Sequence, residues 1–489
     1  MTAMVQGWAA SHPGDRVALR FGDTALTHGA LDHAAAAMAG ALAARGIGRG
    51  DRIGFLGHNH PAQIVALLAC ARLGAMQVPL NWRLAAPEWR FILEDAGASL
   101  LLATPDFLQA AADAAPGGCA IVDATTMEGA PIDATGADDD ALLLVYTSGT
   151  TGRPKGAVLD QRALRFNALN AAATFELSAD DRVLTVLPLF HVGGLNIQTT
   201  PALMAGAEII LHPRFDADAF FDTVARDRPT LTLLVPAVMQ ALVSHPRWAT
   251  ANLSSLRAIG AGSSDVPLPL IEAFHQRGIP VQQVYGATET CPIALVQSRA
   301  EALAAPGSIG RPAPHAECRL VDAGGALCPP GADGEIQVRG PAVLRGYWKR
   351  DDALLDGGWF PTGDVGRVDN QGRWWFTDRL KHVIISGGEN IYPAEVERLL
   401  RSAPGVAEGA VVGRDDPRWG EVPIAVVVPG PGFDPARVLA HFEGQIARFK
   451  QPRAVVALPA LPRTALGKVE VARLREMVRG QMVAAHPNP

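Results

Sequence analysis

Cysteine is scarce. Only five occur in 489 residues (Cys70, Cys119, Cys291, Cys318 and Cys328), an odd number, scattered, without a Cys-x-x-Cys or a Cys/His ligand spacing. That pattern argues against a disulfide framework and a zinc site, and makes a reducing cytoplasm the expected setting. An excess of one charge is lacking too. The formal net charge is −6, with acidic and basic residues mixed along the chain. Nucleic acid is therefore not an expected partner. No apolar run reaches membrane-spanning length, and the N-terminal stretch has no basic segment leading into an apolar one. Neither a transmembrane segment nor a signal peptide is expected, while peripheral membrane contact and a homodimer stay open. Finally, no Gly-x-x-x-x-Gly-Lys-Ser/Thr loop is found, which excludes a Walker-type nucleotide site.

What is present is apolar and rhythmic. Apolar residues make up 48% of the chain, enough for sizeable cores, and 489 residues exceed one compact core. Two or three domains follow. Short apolar stretches at 16–21, 51–56, 76–80 and 99–103 read as strands, and 31–44, 61–73 and 87–96 as helices. This alternation predicts parallel sheets covered by helices. The stretch 104–140 reads as surface connection around one strand at 119–122. The alternation resumes with strands at 182–187, 207–211, 231–235, 256–259 and 280–284. From about 307 to 379 Gly-interrupted strands predict a β-rich subdomain, and beyond 380 a small separate α/β domain is expected. The predicted division is 1–379 and 380–489.

The organising stretch is Tyr146-Thr147-Ser148-Gly149-Thr150-Thr151-Gly152-Arg153-Pro154-Lys155-Gly156, after the apolar strand 141–145. Glycines let the backbone approach a ligand, hydroxyls and amides donate, and Arg153 and Lys155 add positive charge. That suits the phosphates of a nucleotide, although a plain polar hairpin has the same composition. Tyr285-Gly286-Ala287-Thr288-Glu289 follows a strand, where ligands of parallel sheets gather. It offers a flat ring, room beside Gly286 and Ala287, and an oxygen ligand for Mg²⁺ in Glu289. Asp364, after Thr362-Gly363, could accept ribose hydroxyls with Arg379 near, or could close an Asx turn. His191, in Pro188-Leu189-Phe190-His191-Val192-Gly193-Gly194, could gate a pocket or simply pack. Gly387 and Gly388 precede a helix and suit either a narrow passage or a capping turn. Lys468, in Pro462-Arg463-Thr464-Ala465-Leu466-Gly467-Lys468, could neutralise charge on phosphate or carboxylate oxygens. Cys291 lacks a His or Asn pattern around it and reads as a small buried residue.

Taken together and in this order, the motifs resemble the adenylate-forming superfamily of acyl-CoA synthetases, nonribosomal adenylation domains and luciferases. The resemblance spans nearly the whole chain. It implies a large N-terminal domain of two parallel-type α/β sheet subdomains plus a small β-barrel, hinged to a small mobile α+β C-terminal domain. It implies an ATP-dependent, AMP-forming acid–CoA ligase that uses ATP, Mg²⁺ and CoA and works through an acyl-adenylate. By resemblance, Thr147, Ser148, Gly149, Thr150, Thr151, Gly152 and Lys155 would hold the β- and γ-phosphates, with Thr150 and Glu289 on Mg²⁺. Gly260, Ala261 and Gly262 with Tyr285, Gly286 and Ala287 would flank adenine, and Thr288 would reach the α-phosphate. Asp364 and Arg379 would bind ribose, Lys468 would serve adenylation, Lys381 would be the hinge, and Gly387 and Gly388 would line the pantetheine passage. Lys468, Thr150, Glu289 and His191 form the implied catalytic set.

Two departures stand out. Gly260-Ala261-Gly262-Ser263-Ser264 replaces the usual Gly-Gly-Ala-Pro run, and His382 stands where an acidic residue commonly follows the hinge. The acid is read from Phe190, His191, Val192, Gly193, Ala261, Gly286 and Ala287, a small apolar lining. No aspartate in 188–191 meets an α-amine, which disfavours amino acids. No arginine beside 285–289 meets a second carboxylate, which disfavours short dicarboxylates. A medium- or long-chain fatty acid and an aryl or cinnamic acid both fit. The competing classes are an adenylating enzyme that delivers to a separate carrier protein, and a non-catalytic nucleotide-binding homologue.

Overall fold

The computed structural model describes residues 4–147, 154–262, 266–350, 352–386, 389–416, 419–446, 448–463 and 468–480, with backbone alone for Lys381, Glu389, Asn390 and Gly480. Ser148, Gly149, Thr150, Thr151, Gly152, Arg153, Gly387 and Gly388 lie outside the described residues. The chain divides into two compact units. The first comprises Met1–Arg319, Gln337–Pro361 and Gln371–Trp375, and the second Leu320–Ile336, Thr362–Asn370 and Phe376–Pro489.

Short runs such as Leu100–Ala103 and Leu231–Leu234 are apolar or small at nearly every position, and every residue in them is buried. A strand apolar on both faces must be covered on both faces, which a parallel sheet between helices provides. The first unit contains two such sheets. One has nine strands in the order Arg311–Pro312, Leu295–Val296, Val281–Tyr285, Ala258–Gly262, Leu231–Leu234, Arg182–Thr185, Glu208–Leu211, Val17–Phe21, Thr24–Thr27. The six from Val281–Tyr285 to Val17–Phe21 run parallel, and the outer strands are antiparallel. The other has seven strands in the order Gly346–Tyr347, Lys155–Asp160, Ala141–Thr147, Met76–Leu80, Arg52–Leu56, Leu100–Ala103, Ala120–Asp123. Its antiparallel members are the hairpin formed by Ala141–Thr147 and Lys155–Asp160, with Gly346–Tyr347 added.

The helices begin where sequence chemistry predicts. Thr27, Asp160 and Asp216 accept backbone N–H groups at helix starts, supplying one of the bonds an N-terminus lacks. Pro61 opens the helix Pro61–Leu73, and Gly74 closes it at φ 68°, a conformation glycine adopts without penalty. Two expectations change. The stretch 104–140 contains a helix, Leu108–Ala114, where surface connection was expected. Its alanines bury only Ala111 and Ala114, too weak a periodic signal to stand out. The strand expected at 256–259 is instead Ala258–Gly262, so tertiary context carries two glycines into a fully buried strand. The region near 307–379 is strand-rich as expected, with Glu317–Val321, Gly334–Arg339, Phe360–Val368 and Trp374–Arg379 in one four-stranded sheet.

In the second unit the long hairpin Val406–Asp416 and Gly420–Pro429 alternates its side chains between two cores. Ala410, Val412, Ile424 and Val426 pack with Leu474 and Val478 of the helix Val471–Gly480. Val411, Ala425 and Val427 pack with Val396 and Leu400 of Pro393–Leu400. The period of two puts successive residues on opposite faces, and a helix covers each face.

Arg257 anchors the base of the nine-stranded sheet. Its Nε and Nη2 reach the two oxygens of Asp181 at 3.0 Å each, and Nη2 also donates to Phe175 O at 2.6 Å. Burial alone would raise the Asp181 carboxyl, but hydrogen bonds from Arg257, Thr230 and the Ser178 N–H hold it below its ordinary value. A depressed folded value stabilises above the ordinary carboxylate range and is lost as pH falls through the depressed one. Arg257→Met is expected to cost about 2 kcal/mol or more by leaving Asp181 buried and unpaired. Denaturant unfolding between pH 7 and 3 checks this, and the acid loss of stability should be smaller in the variant than in the wild type.

Candidate active site

The predicted phosphate loop joins the two strands of a hairpin, with Thr147 directly opposite Lys155. Tyr146 fixes the stem. Its hydroxyl donates to Asp95 at 2.6 Å, and burial, reinforced by that carboxylate, pushes the phenol's pKa up so that it stays a donor. Gly156 packs closely in the stem: a Cβ there would lie 2.7 Å from Leu144 Cδ1, which would have to shift. Lys155 Nζ lies 5.1 Å from the centre of the Tyr347 ring, within cation–π range.

A second wall leaves the strand Val281–Tyr285. Thr290 pins the loop that follows. Its Oγ1 accepts from Ala287 N at 2.9 Å and donates to Pro292 O at 3.1 Å. This holds Tyr285, Gly286, Ala287, Thr288 and Glu289 half-exposed. A Cβ on Gly286 would sit 1.6 Å from Pro292 O, so only glycine fits. Glu289 accepts twice from one neighbouring segment, at its Oε1 from Tyr347 OH and at its carbonyl from Leu344 N, both at 2.8 Å. Burial and the Glu289 charge raise the Tyr347 phenol, which keeps its proton for this bond. Tyr347 pairs in turn with Ala157 of the hairpin. One tyrosine thus touches both Lys155 and Glu289. The expectations above omitted it, and the only available signal was an aromatic pair, Tyr347-Trp348, beside Gly346.

The floor is glycine-rich. Gly260, Ala261 and Gly262 are buried in their strand, and a Cβ on Gly262 would lie 2.4 Å from Val284 O. The segment carrying Phe190 and His191 has little regular structure of its own. Asn59 holds it: its Nδ2 donates to Leu187 O at 2.9 Å and His212 O at 3.0 Å, and its Oδ1 accepts from Leu189 N at 2.8 Å. The rings of Phe190 and His191 lie 4.4 Å apart, and the Arg83 guanidinium is 5.7 Å from the Phe190 ring. Phe190 and Val192 are buried, while His191 and Gly193 are half-buried. Cys291 is fully buried with its thiol pushed up by that burial, which makes it inert as a nucleophile. Among the described residues no cluster of three His, Cys, Asp or Glu could hold a metal on its own.

The second unit carries the remaining predicted residues. Arg379 Nε pairs with the buried Asp364 at 3.0 Å. Thr362 Oγ1 donates to Ile336 O at 2.7 Å and accepts from Asp364 N at 3.1 Å, fixing the turn. Asp378 accepts from Arg379 N and Ala394 N, each at 2.6 Å, which ties the turn around Lys381 to the helix Pro393–Leu400. Burial pushes the Asp378 carboxyl up. His382 Nδ1 lies 3.8 Å from Asp378 Oδ1. Lys468 is exposed, next to the bridge between Arg463 and Val469.

Parallel sheets ending in a phosphate-type hairpin, a Tyr-Gly-Ala-Thr-Glu loop and a separate Asp/Arg pair define an adenylate-forming enzyme. The model of the AMP-binding enzyme family matches residues 5–348, and that of its C-terminal domain matches 395–468. The chain belongs to this family, and within it to the acyl-CoA ligases. It is 49% identical to an indoleacetate–CoA ligase of Aromatoleum aromaticum, covering 96% of this chain and 97% of that protein. It is 44% identical to a feruloyl-CoA synthase of Amycolatopsis, covering 92% and 94%. The o-succinylbenzoate CoA synthetase of Bacillus subtilis, solved with its acyl-adenylate intermediate, superposes with a TM-score of 0.89 at 33% identity over 98% of this chain and 99% of that one. The same enzyme, solved with ATP and magnesium ion, superposes with a TM-score of 0.87 at 33% identity, covering 96% and 98%.

Gly286→Ala should displace the Tyr285–Thr290 loop and lower adenylation by about a hundredfold, the cost of misplacing reacting groups by about 1 Å. Gly117→Ala, where a Cβ meets nothing within 4 Å and the backbone is not left-handed, should leave the rate intact. Pyrophosphate release by the two variants checks both expectations.

Proposed function

We propose that the protein is an AMP-forming carboxylic acid–CoA ligase whose substrate is an apolar monocarboxylic acid with a planar aryl body. The acid's carboxylate attacks the α-phosphate of ATP, a new P–O bond forms, the bond to pyrophosphate breaks, and acyl-AMP results. The CoA thiol then attacks the acyl carbon and AMP leaves. Activation is needed because an unactivated carboxylate would have to expel oxide.

The observation that carries this reading is the convergence of Lys155 and Glu289 on Tyr347. A cation suited to phosphate oxygens and a carboxylate suited to a hard metal ion on one rim support it. In this reading Thr147, Lys155 and the loop 148–152 hold the β- and γ-phosphates. Gly260, Ala261, Gly262, Tyr285, Gly286 and Ala287 flank adenine, and Thr288 meets the α-phosphate. Asp364 and Arg379 take the ribose hydroxyls. Lys468 neutralises charge during adenylation, Lys381 acts as the hinge, and Gly387 and Gly388 line the pantetheine path. The acid lies against Phe190, His191, Val192 and Gly193. A glycine-floored strand and the adjacent, mutually tilted rings of Phe190 and His191 suit a flat ring, and the relatives of highest identity named above are ligases of aryl acids. Five free cysteines fit a reducing cytoplasm, and among the described residues no helix is long and apolar enough to cross a membrane.

Magnesium fits the donor set. Mg²⁺ keeps its waters and binds through one or two carboxylates plus substrate phosphates, so a single carboxylate such as Glu289 suits it. Glu289 would hold it with Thr150, and bound there it would neutralise phosphate charge. Tyr347 fixes the Glu289 carboxylate by occupying Oε1. Removing such an outer partner typically weakens metal affinity by about 10- to 100-fold. Tyr347→Phe is therefore expected to raise the Mg²⁺ concentration needed for ATP binding, measured by calorimetry without acid, by at least about tenfold. The KM for the acid should stay unchanged.

Pyrophosphate release across a panel of aryl and fatty acids, with and without CoA, tests the function. Acid-dependent release with a CoA-thioester product is expected, highest with aryl acids. Release without thioester would point to delivery to a carrier protein, and no release with any acid would point to a non-catalytic nucleotide binder. Lys468→Ala should abolish release yet largely spare thioester formation from supplied acyl-AMP. Equal loss of both halves would refute that division.

A further inference from the structure

Gln198 is the most conspicuous buried group that the roles above leave unused. It lies in the π-helical turn Leu195–Thr199, just past His191. Such turns recur at functional sites because they redirect a side chain out of the helical register. The residue is 2% exposed, yet neither its Nε2 nor its Oε1 has a hydrogen-bond partner. Several other amides buried in this unit are spent on the backbone: Gln282 donates to Thr174 O and Gln297 O, Gln283 to Ser308 O, and Asn167 to Asn196 O. A buried amide with both ends unpaired is costly and calls for a partner from outside the chain.

Its surroundings indicate the partner's shape. Gln198 lines a cavity of about 10 Å³ with Thr185, Leu187, Gly194, Thr199 and Leu233. That volume takes one heavy atom and no ring. The two hydroxyls in the lining are committed already, Thr185 Oγ1 to Thr199 Oγ1 at 2.8 Å and Thr199 Oγ1 to Gly194 O at 2.7 Å. The amide thus remains the one open hydrogen-bonding side chain of this lining. A Cβ on Gly260 would lie 3.1 Å from Gln198 Nε2 and 2.8 Å from Leu233 Cδ1. Glycine there lets the amide, Leu233 and Phe175 pack directly against the strand.

We propose that Gln198 is a specificity-determining residue, its amide receiving the hydrogen-bonding group on the far edge of an aromatic acid held at the Phe190–Gly193 segment. This rests on the acid–CoA ligase reading and narrows it. A phenolic hydroxyl and a ring N–H share the required chemistry, since each brings one polar atom on a flat body. A plain alkyl chain brings none and leaves the amide unpaired. A site built to hydrogen-bond its substrate discriminates strongly against an analogue that lacks the group.

The test compares kcat/KM within matched pairs: 4-hydroxycinnamate against cinnamate, indole-3-acetate against its N-methyl derivative, with octanoate as the alkyl reference. Wild type should prefer the hydrogen-bonding member of at least one pair by about tenfold or more, and the pair that shows it identifies hydroxyl or N–H. Gln198→Leu should bring that ratio to about one, leaving the KM for ATP unchanged and the plain acids as good as before or better. Gln198→Glu, which keeps an acceptor, should retain part of the preference. If the Leu variant does not fold, Gln198→Met carries the same expectation. Equal loss on every acid, or no change on any, would mean that the amide is only structural or holds only a water, and would overturn the proposal while the ligase reading stands. A wild type that activates no acid would sink both.

Discussion

The constraint on which the first unit depends is that its central strands are parallel. Arg182–Thr185, Leu231–Leu234, Ala258–Gly262 and Val281–Tyr285 all run the same way in one sheet. Their carboxyl ends therefore open along a single edge, and whatever follows each strand gathers there. After the first comes the Phe190–His191 segment, at the end of the third come Gly260 and Gly262, and after the fourth come Tyr285 to Glu289. No residue in these loops recruits the others. The sheet delivers them together, which is why stretches some 30 to 100 residues apart in the sequence can serve one ligand.

Delivery is not yet order, and order comes from a few side-chain contacts across the edge. Tyr347 is the clearest. The strand holding it is only two residues long and survives by pairing with the hairpin. From there its hydroxyl restrains Glu289 while its ring faces Lys155. A freely rotating carboxylate and a freely rotating ammonium would each lose entropy on meeting a phosphate or a cation. Held beforehand, they lose less.

The sequence made some of this legible and hid the rest for physical reasons. Strand–helix alternation is a local property, so the helix at 61–73, opened by Pro61, was legible as it stands. The chain is also sparing with informative residues. Of its five lysines, Lys155, Lys381 and Lys468 lie in the motifs, and of its four tyrosines Tyr146 and Tyr285 open motif segments. Tyr347 was nevertheless missed, because its meaning lies in a contact with Glu289, 58 residues away in sequence. The contact of Asp378 with the N–H of Ala394 was hidden for the same reason, since 16 residues separate the two. The strand Ala258–Gly262 was cut short because glycine weakens a strand in isolation, whereas here the neighbours leave no space for a Cβ.

Two buried amides show how architecture and recognition differ at the same edge. Asn59 makes three hydrogen bonds, all to backbone, and they hold a segment that has little regular structure of its own. A side chain so fully committed can organise a site but has nothing left for a ligand. Gln198 is buried as deeply and makes none. Burial without bonds costs stability, and a fold under selection only for stability could have relieved it with leucine at the same volume. The residues proposed for activation lie in loops beyond the strand ends, while this amide lies in a turn beside the strands. On the proposed assignment, substrate choice changes with the turn and leaves the residues proposed to hold ATP in place. That separation gives a physical reason why one sheet edge can serve ligases of many different acids.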